Sequence, residues 1–247
     1  MAQRDRTSSV HRHSYWHQTL KPLHCLIFVL PMLVAFHVTT AVSGTNLLAL
    51  RDVHKVLRYF GATLPWLPAL VVLVVLLAQQ AVWIGRWRIS GRVLAGMPVE
   101  SVVWLLPLVA LGHLTGSLWA QQATDAAAAG PAFADVLQRV VTAMGAGIYE
   151  EFIFRMLAMG LIVLLFADWL ELNRKWVTGV AVVLSSVAFS LYHFAPEAVT
   201  SFSFSGYEFT FRAMAGAYLA VVFTLRGFGI AVGAHAAYNI YVTVYLM

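Results

Sequence analysis

An all-α, polytopic bundle of transmembrane helices, about seven spans plus one interfacial amphipathic helix, is the fold this sequence predicts. Three observations carry that expectation. Of 247 residues 60% are apolar and only 11% charged, against ~25% charged in a typical soluble domain. Charge-free runs recur at or above the ~20 residues that a helix needs to cross hydrocarbon. Short basic runs separate them, where they set topology and meet the anionic head groups of membrane lipids.

Residues 1–21 carry Arg4, Arg6, Arg12 and Lys21 with His11, His13 and His17 and show no apolar periodicity, which reads as a basic cytoplasmic tail. Residues 22–50 contain no Asp, Glu, Lys or Arg, and the first span falls at about Leu23 to Val42. A cleaved signal peptide ending near Ala41-Val42-Ser43 is the competing reading. The apolar run is longer than the ~7–15 residues of a signal core, which favours an anchor. From Asn46 to Phe60, Leu47, Leu50, Val53, Leu57 and Phe60 recur at helical spacing with Arg51, Asp52, Lys55 and Arg58 between them, the pattern of an interfacial helix.

Charge-free runs 59–85 and 101–124 give spans two and three, around a basic loop with Arg86, Arg88 and Arg92. Gly130-Pro131 breaks the Ala-rich stretch 125–139, with Ala132 as the restart. Span four runs from Val140 to Ala167, span five from about Trp176 to Phe194, and span six from about Thr210 to Leu225. After Gly227 and Gly229, span seven covers about Ile230 to Met247. With the N-terminus inside, this map puts 10 Lys/Arg in cytoplasmic segments and 5 outside, leaving Arg155 embedded. The regions are therefore 1–21, a tail; 22–139, an N-terminal transmembrane region; and 140–247, the part that holds the chemistry. The formal charge of +5 belongs to the loops beside the spans, so no nucleic-acid partner is expected. The single cysteine, Cys25, excludes an internal disulfide and a multi-Cys metal site, and reads as a small core or lipid-facing residue.

Span four contains Tyr149-Glu150-Glu151-Phe152-Ile153-Phe154-Arg155. An ionised group near the bilayer centre costs at least ~2.5 kcal/mol, so such residues face a bundle interior and mark function. Glu151 and Arg155 are four apart and share a helix face with the acid first, the better orientation for an ion pair. Glu150 points ~100° away from Glu151 and stays free for proton transfer. A structural salt bridge accounts for one acid and one base, not for the second acid. His193, four residues after Phe189, ends span five. His235 and Asn239, four apart, share a face of span seven.

Small residues at Gly229, Gly233 and Ala237, and at Gly216 and Ala220, allow helices to approach closely and bring these polar groups together. His37 and His113 read as satisfied packing groups. Two glutamates, an arginine, two histidines and an asparagine within hydrocarbon point to a water-holding cavity and to hydrolysis of a substrate that also resides in the membrane. A His-Glu-x-x-His zinc helix, a Gly-x-Ser-x-Gly elbow, a Gly-x-Gly-Asp pair and a phosphate-binding Gly-rich loop are all missing from the sequence.

Glu150-Glu151-x-x-x-Arg155, Phe189-x-x-x-His193 and His235-x-x-x-Asn239 resemble, in order and spacing, the three motifs of the CAAX-type intramembrane protease family (type II CAAX prenyl endopeptidases, also called CPBP or Abi). The resemblance covers about residues 140 to 245. Phe211, Gly216, Arg226 and Gly227 also look like the family's run into its last histidine. The resemblance implies that Glu150 is the base, that His193 helps it activate water, and that His235 and Asn239 stabilise the oxyanion. Glu151 and Arg155 would position Glu150, and Phe189 would pack beside the substrate.

The resemblance further implies an endopeptidase acting near the C-terminus of a membrane-embedded or lipidated protein. No cofactor is expected, with zinc as the alternative, since carboxylates and imidazoles are zinc ligands too. The host membrane would be the plasma or inner membrane of a bacterium, or the endoplasmic reticulum of a eukaryote. A non-enzymatic scaffold or immunity protein, and a small proton-coupled transporter, are the readings from other classes. The complete motif set disfavours the first, and the missing internal repeat disfavours the second. One tension stands in the seven-span map: Glu150 and His193 lie nearer the outer side, while His235 enters from the inner side.

Overall fold

The computed structural model of the protein describes residues 14–43, 55, 58–59, 64–83, 87–116, 133–194 and 205–245. A short helix α1 (Tyr15–Gln18) leads into α2 (Pro22–Ser43), α3 (Leu67–Val82) and α4 (Gly91–Leu114). The fourth helical rod starts as α5 (Phe133–Glu151) and continues without a break through π-helical turns (Phe152–Met159), one α turn (Gly160–Val163) and a second π-helical segment (Leu164–Trp169). Then come α6 (Arg174–Tyr192), α7 (Gly206–Arg226) and α8 (Phe228–Tyr245). Five of these stretches are long and apolar enough to cross a membrane, and α3 and Phe228–Val244 are shorter apolar helices. Among the described residues the seven expected spans thus correspond to seven helical rods in a membrane bundle, with α1 as a further, short helix.

Helix boundaries follow local chemistry. Asn173 caps α6 by accepting the Lys175 N–H at 3.0 Å, and Ser205 caps α7 by accepting the Glu208 N–H at 3.3 Å. Gly227 ends α7 at φ +84°, and a Cβ there would lie 3.2 Å from Leu20 Cα and Thr19 O. Both the left-handed backbone and the close approach require glycine, and the chain reverses at once into α8.

α8 is the axis of the bundle, packing on α5, α4, α7 and α2. Ile230, Ala231, Val232 and Ala234 are fully buried, as in a helix surrounded on all sides. Glycines make these contacts close: Gly229 faces Cys25 and Met97, and Gly233 faces Ser101 and Phe28. Gly147 of α5 abuts Ala236, so closely that an added Cβ would stand 3.0 Å from its backbone nitrogen. Large apolar side chains on the outward faces, such as Val99, Val102 and Leu106 of α4 and Val180, Val183 and Leu184 of α6, are exposed. Such a surface suits hydrocarbon rather than water.

Some expected boundaries differ. α4 starts at Gly91 and not near residue 101, taking in Arg92 and Glu100. The carboxylate of Glu100 is tolerated because Arg226 grips it, with Nε donating at 2.5 Å and Nη2 at 2.9 Å. Cys25 is a core residue, 2% exposed, and its thiol donates to Thr19 O. His37 is buried and bonded, as a packing group should be, with Nε2 2.6 Å from the Tyr149 hydroxyl. His113 instead lies exposed near the end of α4. The expected interfacial helix at Asn46–Phe60 lies outside the described residues except for Lys55, Arg58 and Tyr59, and the Gly130-Pro131 break lies outside them altogether.

The tension over His235 dissolves in the element lengths. α8 begins at Phe228, which places His235 ~10 Å along its axis at 1.5 Å per residue. α5 begins at Phe133 and its rod runs on to Trp169, which puts Glu150 in the middle of the rod. Close packing of Gly147 on Ala236 then sets the two positions at one level.

Candidate active site

The paired carboxylates sit where α5 passes from α to π hydrogen bonding. Glu151 is the last α-helical residue, and the wider turn opens at Phe152. π-helical turns inside α-helices are frequent at functional sites. The four-residue spacing of Glu151 and Arg155 still brings their side chains together, with Nη1 3.1 Å from Oε1 and both fully buried. Arg155 Nη2 donates to the Gly216 carbonyl at 3.0 Å, and its guanidinium lies 4.6 Å from the centre of the Phe189 ring. Nη1 meets Oε1 as a charge contact rather than an aligned hydrogen bond. Arg155 Nε and Glu151 Oε2 are buried with no hydrogen-bond partner among the described residues.

Glu151 has a second partner that its spacing did not reveal. His235 Nδ1 stands 2.8 Å from Glu151 Oε1, across 84 residues of chain. An ionised carboxylate only accepts, so Nδ1 carries the hydrogen and Nε2 is left facing the cavity. His193, in the turn that ends α6, is set the same way: its Nδ1 lies 2.8 Å from the Phe189 carbonyl, which also only accepts. Both Nε2 atoms converge on one oxygen. Glu150 Oε2 is 3.6 Å from that of His235 and 3.8 Å from that of His193. Phe189 closes the cluster, its ring 4.7 Å from the His193 ring and 6.0 Å from that of His235, centre to centre.

A cavity of about 830 Å³ opens onto this cluster and is lined by Glu150, Phe189, His193, His235 and Asn239. The sequence-predicted residues are therefore brought together in two layers. Glu150, His193 and Asn239 are in reach of the cavity, and Glu151 and Arg155 lie behind them with no exposure. Arg139 and Arg212, which the sequence analysis did not single out, also line the cavity. Tyr149, next to Glu150, bonds His37 of α2.

Glu150, His193 and His235 are the donor types that zinc accepts. Among the described residues, however, no group of three His, Cys, Asp or Glu is so placed that it would hold a metal ion.

A helical membrane bundle with a carboxylate and two oriented imidazoles around an internal cavity has the parts of an intramembrane hydrolase. Residues 131–241 match the family model of type II CAAX prenyl endopeptidases, Rce1-like, a stretch that includes all three motifs and the helices α5 to α8 that frame the cavity. Over this segment the chain is similar to the CAAX-type family of intramembrane proteases, the family that its motif spacing resembles. No curated protein and no solved structure matches the chain.

Proposed function

We propose that the protein is a multi-pass intramembrane endopeptidase that cleaves near the C-terminus of a lipidated or membrane-anchored protein with a water activated by Glu150. The observation that supports this most is the meeting of two imidazole Nε2 atoms on Glu150 Oε2, at 3.6 and 3.8 Å, on the wall of an open cavity. Those separations are longer than a hydrogen bond and suit a water held among the three groups. Glu150 removes a proton from that water as its oxygen attacks the scissile carbonyl carbon. The carbonyl oxygen takes the negative charge and the carbon becomes tetrahedral. The Asn239 amide donates to that oxygen, and the proton held by Glu150 passes to the leaving nitrogen as the C–N bond breaks.

His235 has a conditional part in this scheme. With Nδ1–H committed to Glu151, its Nε2 accepts while the ring is neutral and donates to an oxyanion only once the ring is protonated. Glu150 and Glu151 stand on either side of the ring, 3.6 Å from Nε2 and 2.8 Å from Nδ1. His193 orients the attacking water, and Phe189 packs against the bound substrate. No step needs a metal.

Replacement of Glu150 by Ala and, separately, of His235 by Ala tests the reading in cells. A membrane protein should accumulate in uncleaved form in both variants at normal enzyme level, and normal processing in both would refute the scheme. Cleavage by the purified enzyme that persists in a chelator supports the metal-free route, and cleavage abolished by chelator and restored by zinc would replace it.

A further inference from the structure

Two stripes of α5 close on neighbouring helices in the same way. Gly145 and Tyr149, four apart and therefore on one face, meet α2: a Cβ on Gly145 would run into the Phe36 ring, and the Tyr149 hydroxyl lies 2.6 Å from His37 Nε2. Gly147 and Glu151, also four apart, meet α8, the glycine at Ala236 and the carboxylate at His235 Nδ1. In each stripe a glycine admits the partner helix and a polar side chain one turn later bonds it. Glu150 lies between the two, ~100° of helix rotation from Tyr149 on one side and from Glu151 on the other. The His37 ring is itself held, 5.2 Å between centres from the ring of Trp66 at the start of α3 and tilted by 34° to it. Phe36 meets Tyr149 edge to face at 5.9 Å, and both His37 and Tyr149 are buried.

We infer that His37 and Tyr149 are positioning residues, whose bond fixes the rotation of α5 and thereby aims Glu150 at the two imidazoles. This rests on the proteolytic reading above and adds to it a pair outside the three motifs, one half of it supplied by the N-terminal transmembrane region. The backbone explains why such a bond is needed. At Phe152, two residues beyond Glu150, hydrogen bonding changes to the i→i+5 pattern, so the α-helical register that would hold Glu150 from its C-terminal side stops there. Glu151 pins this turn to α8. A bond on one face leaves a helix free to roll about it, and a second bond ~160° around the axis removes that freedom. The seat of the attacking water is set by the separations of 3.6 and 3.8 Å at Glu150 Oε2. A misplacement of ~1 Å at such a seat can cost ~10²-fold in rate.

The test uses the full-length enzyme in detergent and a palmitoylated, internally quenched peptide that copies the C-terminus of a membrane protein left uncleaved in cells producing Glu150→Gln. Tyr149→Phe keeps the ring and removes only the hydroxyl, His37→Leu removes the imidazole, and His37→Gln retains an amide that can bond the hydroxyl. Tyr149→Phe and His37→Leu should each lower kcat by ~10–10²-fold with KM nearly constant, measured well below each variant's Tm. Combined, they should cost no more than the larger loss alone, because both break one bond. His37→Gln should keep most of the rate. Wild-type kcat in Tyr149→Phe, equal losses in His37→Gln and His37→Leu, or additive losses in the double variant overturns the inference and leaves the pair as packing. Where His37→Leu fails to fold, a slow Tyr149→Phe beside an active His37→Gln supports the inference, and any other result for these two overturns it. Cleavage by the wild type bears on the proteolytic reading and the ratio of variant to wild type on the inference, so the two fail separately. A wild type that leaves the peptide intact overturns both.

Discussion

At the level of single residues, the site divides labour between a carboxylate in reach of water and one that is sealed. Glu150 borders the cavity, whereas Glu151 is fully buried between Arg155 and His235. Glu150→Gln should lower the rate of substrate cleavage by ~10²–10⁴, the usual contribution of a general base, with thermal stability in detergent unchanged. Asn239→Ala should cost ~10²–10³ in kcat if its amide is the oxyanion donor, with KM nearly constant. Arg155→Met should act on folding instead. It leaves the Glu151 charge buried without its cation, which costs about 3–5 kcal/mol and would appear as a marked fall in Tm. Helical spacing made the pair Glu151–Arg155 and the shared face of His235 and Asn239 legible in the sequence. The bond from His235 to Glu151 was not legible, because a contact across 84 residues leaves no local pattern.

Among the elements, the decisive contact is α5 on α8. Gly147 lies so near Ala236 that a larger side chain must push the two helices apart, and with them Glu150 and His235. Gly147→Val should cost ~1–3 kcal/mol as an overpacking substitution. It should also reduce cleavage more than that stability loss alone explains, which activity measured well below the variant's Tm would show. The glycine and alanine repeats signalled close packing in advance. Their partners, Cys25 and Met97 for Gly229 and Ser101 for Gly233, follow from the placement of α2 and α4 around α8, and spacing within one helix does not encode it. Two features escaped a pattern-based reading for physical reasons. The switch to π hydrogen bonding at Phe152 changes the backbone register without requiring any residue type. The early start of α4 was hidden because Glu100 looks like the end of a span until Arg226, 126 positions later, neutralises it.

Across the whole molecule, a polar lock ties the N-terminal segment to the turn between the last two helices. Arg226 binds Glu100, donates through Nη1 to the Trp16 carbonyl at 2.8 Å and stacks over the Trp16 ring at 3.9 Å. Thr19 and Leu20 lie against Gly227 beside it. Arg226→Met should free residues near α1 for limited proteolysis and lower Tm, and the double variant with Glu100→Gln should recover part of the loss because no buried carboxylate is then left unpaired. Composition and charge-free runs were enough to predict a helical membrane bundle of about seven spans, since the hydrocarbon thickness dictates helix length. The internal cavity was predictable only as a need of the polar cluster. Its extension to Arg139 and Arg212 was not, because a basic residue beside a span looks the same whether it faces lipid headgroups or a channel. The central claim is that Glu150 drives peptide-bond cleavage at the C-terminal end of membrane proteins. Mass spectrometry of protein C-termini from cells producing the wild type or Glu150→Gln at equal levels tests it most directly. A defined set of membrane-anchored proteins should carry longer C-termini in the variant, and identical C-termini in both would refute the role of Glu150.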